Sequence, residues 1–342
     1  MENIQNLVTS MGIKPTDIVL LQLWGENHHL DILQNFCTEV ARLGATPVKL
    51  QHSRLLYKNI YAAAPDPSTL FPSSYFSIFD PITFVIDLMA YQPATPHKDF
   101  PQGKIPAYMA HMGALFQALS TKKSFIQLRL PTQTLAEEYG IDYPTLTELL
   151  TKAYAIDYPA LKNTCQAAVE KFNNISRLTI TTPKNNQLQL CLGTRPWHKD
   201  DGNGDYPSGE IYIAPIENSA NGSLYVLSMP FMGNTYQDIT LHFQDGKLTT
   251  TSSTQLNTAL QNLPENGNIL CEFGIGLNKM IPPTTTNLTF LDEKSHGTFH
   301  IGLGNNTMFG GQNTTPFHTD IVLTGDVTSN GTKLIENGIL IL

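Results

Sequence analysis

The chain has 342 residues, of which 41% are hydrophobic and 15% charged, and its formal net charge is −8. This composition is that of a globular protein and excludes a disordered chain. The acidic balance argues against a nucleic-acid backbone as the main partner. One hydrophobic core rarely serves a chain longer than about 250–300 residues, so we expect two domains.

Cysteine spacing and the N-terminus narrow the class of protein further. The four cysteines, Cys37, Cys165, Cys191 and Cys271, are far apart and form no CxxC pair. Structural zinc of the finger type and a dense disulfide framework are therefore not expected. The first residues show no basic region followed by an apolar run. No apolar stretch approaches the roughly 20 residues that span a bilayer. We expect a cytoplasmic protein with no membrane partner.

The first half of the chain alternates strand and helix signals. Residues 18–23, IVLLQL, form an apolar run of strand length, and apolar residues from Leu30 to Leu43 then recur near helical spacing up to Gly44. TPVKL reads as the next strand, and the apolar run at 82–90 fits another, buried strand. The later segment TLAEEYGIDYPTLTELLTKAYAIDYPALKNTCQAAVEKF reads as helix, with breaks at YGIDYP and IDYP. These patterns predict β-α-β units, hence an α/β domain with a parallel sheet over residues 1–175.

Beyond that boundary the pattern changes to short alternating strands. SRLTITTPKNNQLQLCLG reads as a hairpin that turns at PKNN. The short strands that follow have Gly, Asn and Asp at the turns between them. Residues 176–342 are therefore predicted to form a β-rich (α+β) domain.

Candidate metal ligands gather in this second half, each beside Gly or Pro and near the end of a predicted strand. His318 and Asp320 lie two residues apart, so they share one face of a strand. Glu272 stands between Cys271 and Phe273 in an apolar run. A carboxylate is costly to bury there unless it is paired or bound to metal.

The remaining candidates have similar settings. They are Glu210 in SGEIYIAP, Glu293 in LDEKSHG and His300 between Phe299 and Ile301. Zinc, cobalt and manganese all accept this mixture of imidazole and carboxylate. The ligands exceed what one tetrahedral ion needs, which suggests two divalent ions. Such a pair acidifies water and polarises a carbonyl, so hydrolysis of an amide is the expected use.

At these residues the sequence resembles the metallo-aminopeptidase family of aminopeptidase T and aminopeptidase S. DDGNGDYPSGEIYIAP, SANGSLYV, CEFGIGLN, LDEKSHGTFHIGLG and GGQNTTPFHTDI occur in the family's order. The resemblance begins earlier, at MGIKPTDIVLLQ and EVARLGATPV. It implies an N-terminal α/β domain, a β-rich metal-binding domain and a homodimer that cleaves peptides.

The resemblance also implies roles for individual residues. Glu210 matches the first ligand, and Glu272 matches the glutamate that bridges the metals. Glu293 matches an acidic residue that binds metal or serves as general base. His300 matches a further ligand, and His318 and Asp320 match the family's final HxD pair.

One departure concerns a tyrosine. The family usually has a Tyr a few residues after the position of His300, where this chain has Thr307 and, nearby, Phe309. A phenol that would bind metal or stabilise an oxyanion is then missing unless another tyrosine replaces it.

Two alternatives to the aminopeptidase hypothesis stay open. Ring-cleaving dioxygenases that act on dihydroxypyridine resemble relatives on the same scaffold, but a single Fe(II) held by two His and one carboxylate would require His in place of Glu272. A non-catalytic relative that binds a peptide or partner protein is the other.

Two glycine-rich stretches receive structural interpretations. DDGNGD (200–205) does not have the EF-hand spacing, and we expect a tight solvated turn. GIGLN and GLGNN are interpreted as tight backbone passages beside the metals.

Overall fold

The computed structural model describes residues 4–283 and 286–341 of the chain. Contacts between Cα atoms divide the chain into two compact units. The first comprises Met1–Ala155 and Gly202–Pro207, and the second comprises Ile156–Asp201 and Ser208–Leu342. The domain boundary near residue 175 stays a prediction about where independently folding domains meet. None of the helices in the described ranges is long and apolar enough to cross a membrane.

The described residues form helices and strands throughout. The α-helices are α1 (Ile4–Ser10), α2 (Leu30–Arg42), α3 (Arg54–Ala63), α4 (Ile105–Ser120), α5 (Gln133–Tyr139), α6 (Tyr143–Tyr154), α7 (Tyr158–Phe172), α8 (Thr254–Leu260) and α9 (Thr289–Asp292). The strands are β1 (Ile18–Trp24), β2 (Thr46–Gln51), β3 (Phe84–Met89), β4 (Ser124–Arg129), β5 (Arg177–Thr182), β6 (Asn186–Cys191), β7 (His198–Asp200), β8 (Asp205–Tyr206), β9 (Glu210–Ile213), β10 (Asn221–Phe231), β11 (Asn234–Gln244), β12 (Lys247–Thr251), β13 (Leu270–Gly276), β14 (Phe299–Gly304), β15 (His318–Leu323), β16 (Asp326–Ser329), β17 (Thr332–Glu336) and β18 (Ile339–Leu340). Short 3₁₀ turns lie at Asn27–His29, Pro67–Thr69, Ser73–Phe79, Gln102–Lys104 and Thr307–Phe309.

The first unit is built on a parallel sheet with the strand order β2-β1-β3-β4-β8. The apolar runs that predicted strands become β1 and β3, and every residue of β3 is buried. Helix α2 ends before Gly44, whose φ of +81° suits glycine. The α/β prediction for the N-terminal part is confirmed.

The two predicted helix breaks lie between α5 and α6 and between α6 and α7. Gly140 ends α5 in the left-handed conformation. Asp142 and Asp157 then cap α6 and α7, each accepting a hydrogen bond from a backbone N–H three residues on, with proline in the first turn. The repeated IDYP sequence is thus a helix start signal in both places.

A neutral hydrogen-bond network, named here the Asp87 network, is buried in the parallel sheet. Gln22 Nε2 donates to Asp87 Oδ1 at 2.6 Å, and His52 Nε2 donates to Gln22 Oε1 at 2.8 Å. His52 Nδ1 is then left to accept from the Tyr57 hydroxyl, 2.9 Å away. Burial raises the pKa of Asp87 to about 7 and lowers the pKa of His52 to about 3, so the uncharged forms are favoured.

The second unit is β-rich, as predicted. An eight-stranded antiparallel sheet has the order β12-β11-β10-β6-β5-β16-β17-β18. Its β5–β6 hairpin turns at the predicted PKNN, where Lys184 and Asn185 have positive φ. A five-stranded antiparallel sheet has the order β15-β14-β13-β9-β7.

The five-stranded sheet has two chemically different faces, because side chains alternate along each strand. The register pairs Glu272 with Gly302, and Gly302 with Asp320, across β13, β14 and β15. These residues therefore share one face. The other face is apolar and includes Phe273 and Ile301, which are fully buried. The alternation in CEFGIG and FHIGLG thus separates a reactive face from a hydrophobic core.

Candidate metal centre

The structure brings the six sequence-predicted site residues into one cluster. Five of them lie on strands of the five-stranded sheet: Glu210, Glu272, His300, His318 and Asp320. Glu293 follows α9 at its C-cap and reaches the same cluster through an ion pair with Lys294.

The ligand atoms form two sets of three that share Glu272. On one side, His300 Nε2 lies 3.5 Å from Glu210 Oε2 and 3.6 Å from Glu272 Oε1. On the other, His318 Nε2 lies 3.3 Å from Glu272 Oε2 and 3.3 Å from Asp320 Oδ1. Neighbouring ligand atoms around a tetrahedral zinc, with bonds of about 2.0–2.2 Å, are roughly 3.3–3.6 Å apart. The histidine–carboxylate distances in both sets match this spacing, and the atoms of Glu272, His318 and Asp320 all lie within 4.8 Å of one another.

Unsatisfied buried oxygens support the same interpretation. Glu210 Oε2 and Asp320 Oδ1 are buried and lack a hydrogen-bond partner among the described residues. A buried polar atom without a partner is unfavourable by roughly 1–3 kcal/mol, and more when it is charged. Each of these oxygens lies beside a histidine Nε2, so one cation per side would satisfy it. The residues present therefore fit divalent ions.

Glycines make room for the ligands on this face. A Cβ at Gly274 would lie 2.1 Å from His300 Nε2. A Cβ at Gly302 would lie 2.7 Å from Glu272 Cβ and 3.2 Å from His318 Cε1. These are the GIG and GLG passages of the sequence, and any larger residue would displace a ligand.

Hydrogen bonding fixes the orientation of His318. Its Nδ1 lies 2.9 Å from the carbonyl oxygen of Asn305, which can only accept, so Nδ1 carries the proton. In the neutral ring, the form that binds metal, Nε2 then carries the lone pair, and this atom faces Glu272 and Asp320. A carbonyl partner of this kind is common behind histidines that bind metal.

Burial and neighbouring charges act against each other on the ionisable groups. Burial raises the pKa of Glu210 to about 8, although Lys294 and His300 act to lower it. Burial also raises the pKa of Glu293. For Glu272, hydrogen bonds with His300 and His318 outweigh burial and lower the pKa to about 2. At Glu210, burial and the neighbouring carboxylates Glu293 and Asp200 thus outweigh the pKa-lowering effect of Lys294 and His300.

Two residues of the cluster were missed by sequence reasoning. Lys294 is 4% exposed, and its Nζ contacts Glu210, Glu293 and Asp200. Asp200 and Asp201 are 5% and 6% exposed, so the prediction of a solvated turn was wrong for these two residues. The signal that would have found Asp200 is its place in the sheet. Asp200 pairs with Glu210 across β7 and β9, so both side chains lie on the same face.

Phe309, near the position where the family has a tyrosine, lies beside the cluster. The Phe309 ring centroid lies 6.1 Å from that of His318 and 5.5 Å from that of Tyr212. Tyr212 is two residues after Glu210 on β9, hence on the same face, and its ring stacks on His198. A phenol is therefore present near the cluster, although from a different strand.

A family model gives the chain its class. The model of the thermophilic metalloproteases (M29) matches residues 4–327. With the clustered histidines and carboxylates, this match makes the chain a metallopeptidase. The chain belongs to the thermophilic metalloprotease family, M29. The family resemblance and the enzyme class predicted from the sequence are confirmed.

Two solved structures share the fold. Wild-type AmpT from Thermus thermophilus has a TM-score of 0.75 at 16% identity, and the match covers 100% of this chain and 99% of that chain. The 2,5-dihydroxypyridine dioxygenase from Pseudomonas putida has a TM-score of 0.65 at 16% identity, covering 99% of this chain and 95% of that chain. Among curated protein sequences, none matches the chain significantly.

Proposed function

We propose that the chain is an aminopeptidase that removes the first residue of peptides at a centre of two divalent ions. The observation that carries the proposal is the pair of three-atom sets that share Glu272. Glu210, His300 and Glu272 would hold one ion, named here the buried position. Glu272, His318 and Asp320 would hold the other, named here the outer position.

Charge balance favours two ions over one. The cluster contains five carboxylates, which are those of Asp200, Glu210, Glu272, Glu293 and Asp320. Lys294 pairs with three of the five, Asp200, Glu210 and Glu293. With neutral histidines, one ammonium and two divalent ions would balance the five negative charges, whereas one ion would leave a net charge of −2. Buried charge without compensation is strongly unfavourable.

Divalent ions in such a centre supply acidification of a water molecule and polarisation of a carbonyl oxygen. Glu293 is proposed as the proton carrier, because burial raises its pKa and so favours proton uptake. Its Oε1 is held 3.1 Å from Lys294 Nζ, which leaves Oε2 to accept a proton and return it to the leaving amine. The acidic surroundings suit the free ammonium group of a peptide N-terminus.

The metal set also separates this proposal from the dioxygenase alternative. The three ligand atoms that lie within 4.8 Å of one another come from Glu272, His318 and Asp320, which are two carboxylates and one histidine. The facial iron site of the alternative would use two histidines and one carboxylate. The outer position therefore favours the peptidase.

A matched pair of substrates tests the function. Protein loaded with Zn²⁺, Co²⁺ or Mn²⁺ is expected to cleave leucyl-p-nitroanilide and not the N-acetylated compound, because only the first has a free ammonium group. Equal cleavage of both would contradict an aminopeptidase. Binding without cleavage of any short peptide would favour the non-catalytic alternative, and oxygen consumption with 2,5-dihydroxypyridine would favour the dioxygenase.

The proposal includes a homodimer. The family resemblance implies a homodimer, and light scattering on the purified chain measures it directly. A chain that is monomeric at assay concentrations would contradict the homodimer.

A further inference from the structure

Lys294 is a buried lysine surrounded by carboxylates. Its side chain is 4% exposed, and Nζ lies 2.5 Å from Glu210 Oε1, 3.1 Å from Glu293 Oε1 and 3.4 Å from Asp200 Oδ2. Lysine is rarely buried unless it is paired. Three carboxylates provide that pairing here.

The backbone holds this lysine in place. The Lys294 N–H donates to the carbonyl of Leu291, and the Lys294 carbonyl accepts from the Asn278 N–H at 2.8 Å. A Cβ at Gly276 would lie 2.1 Å from the Ser295 carbonyl oxygen and 2.8 Å from the Lys294 carbonyl carbon. Glycine at 276 therefore allows the turn after α9 to pack directly on β13, at the residue that pairs with Glu210 on β9.

Because of its ion pair with Lys294, the two carboxylate oxygens of Glu210 have different neighbours. Oε1 is held by the ammonium, whereas Oε2 lies 3.5 Å from His300 Nε2 and has no hydrogen-bond partner in the described part of the chain. A carboxylate fixed through one oxygen can offer the other in a defined direction. Groups that orient a metal ligand in this way typically change metal affinity by about 10–100-fold.

We propose that Lys294 is a positioning residue for the buried position. Its ammonium fixes Glu210 and offsets the charge of Asp200 and Glu293, so that Glu210, His300 and Glu272 can hold an ion. The carboxylates shown to pair with Lys294 are Asp200, Glu210 and Glu293, and of these Glu210 is a proposed ligand of the buried position. We therefore expect the outer position to keep its ion when Lys294 is replaced. This inference rests on the proposed two-ion centre.

The test counts ions in the Lys294→Met variant, which keeps an unbranched side chain as far as Cε and removes the ammonium group. Wild-type and variant proteins are dialysed against the same buffered Zn²⁺ concentration, and bound zinc is measured by mass spectrometry. We expect two ions per chain in the wild type and one in the variant. We also expect a 10–100-fold loss of affinity at the second binding step in a Zn²⁺ titration.

The control is Lys199→Met. Lys199 lies on β7, one residue from Asp200, but its Nζ contacts Asp201 and Gln166. This variant also removes one lysine charge from the same strand region, and its ion count should stay at two.

A double variant covers the case in which Lys294→Met does not fold. Lys294→Met with Asp200→Asn removes one carboxylate together with the ammonium, so the cluster keeps the net charge of the wild type, and it should still bind one ion. Two ions at wild-type affinity in either folded variant would overturn the inference. A folded variant that binds none would overturn it as well, because the outer position should remain. Fewer than two zinc ions per wild-type chain would overturn the two-ion centre itself. The wild-type sample alone shows this result, and the inference about Lys294 would then fall as well.

Discussion

Two buried polar clusters, one in each unit, both contain carboxylates and histidines, but the neutral forms are favoured in one cluster and ionised forms in the other. The Asp87 network joins an aspartate and a histidine through Gln22, and burial favours the neutral form of both. In the metal centre, hydrogen bonds and charges favour ionised Glu272 and raise the pKa of His300 to about 9, in spite of burial.

The difference teaches how to separate a structural cluster from a functional one. In the Asp87 network each polar group has a neutral partner, so the network needs no ion. In the metal centre, with the histidines neutral as they would be when bound to metal, carboxylates outnumber the ammonium of Lys294, and Glu210 Oε2 and Asp320 Oδ1 lack hydrogen-bond partners among the described residues. Buried charge of one sign indicates a missing counter-ion, whereas buried polarity alone does not.

The largest expected effect breaks the metal centre at its shared ligand. Glu272→Ala removes the residue that belongs to both three-atom sets, so we expect loss of both ions and at least a roughly 1000-fold loss of peptidase activity. Zinc content and leucyl-p-nitroanilide turnover measure this. Glu265→Gln, at an exposed position of the same unit, is the control. Retained cleavage by the Glu272→Ala variant would refute the assignment.

The next effect is steric. Gly274→Ala places a methyl group 2.1 Å from His300 Nε2, so the ring must move and the buried position should lose its ion. Gly113→Ala in α4 is the matched control, because a Cβ there meets nothing within 4 Å. A Gly274→Ala protein with two ions and full activity would show that His300 is not a ligand.

A smaller effect is expected from the neutral network. Gln22→Leu removes the amide that joins Asp87 to His52, which should lower the free energy of unfolding by roughly 1–3 kcal/mol. Zinc content per folded chain should not change. Urea unfolding and metal analysis on the same sample check both parts, and a drop in zinc content would mean that the two clusters are coupled.

The smallest effect is a pH dependence. The folded-state pKa of Asp87, about 7, lies above the ordinary value of 3.8, so its stabilising contribution is complete below about pH 4 and is lost as pH rises through 7. Asp87→Asn lacks this titration. Relative to the wild type, the variant should therefore gain up to about 1.4 kcal/mol per pH unit between pH 4 and 7. Urea unfolding of both proteins at pH 4.5, 5.5 and 6.5 measures the difference, and a constant difference would contradict a neutral buried Asp87.

Sequence reasoning found the α/β and β-rich parts because strand and helix periods differ and because IDYP signals helix starts. It also found the candidate ligands, since a carboxylate such as Glu272 within an apolar run demands an explanation. It missed Lys294 and Asp200, because a lysine and a Gly-rich acidic turn are usually solvated. Only the β7–β9 register and the close approach at Gly276 place them among the carboxylates, and such long-range contacts leave no local pattern in the sequence.

The most direct test of the two-ion centre is the number of divalent ions that the wild-type chain retains after dialysis against buffered Zn²⁺, with sites located by anomalous scattering at the zinc edge. Two peaks, one among Glu210, His300 and Glu272 and one among Glu272, His318 and Asp320, are the expected result. A protein that retains no zinc, cobalt or manganese, or that binds its ions away from Glu272, would contradict the account.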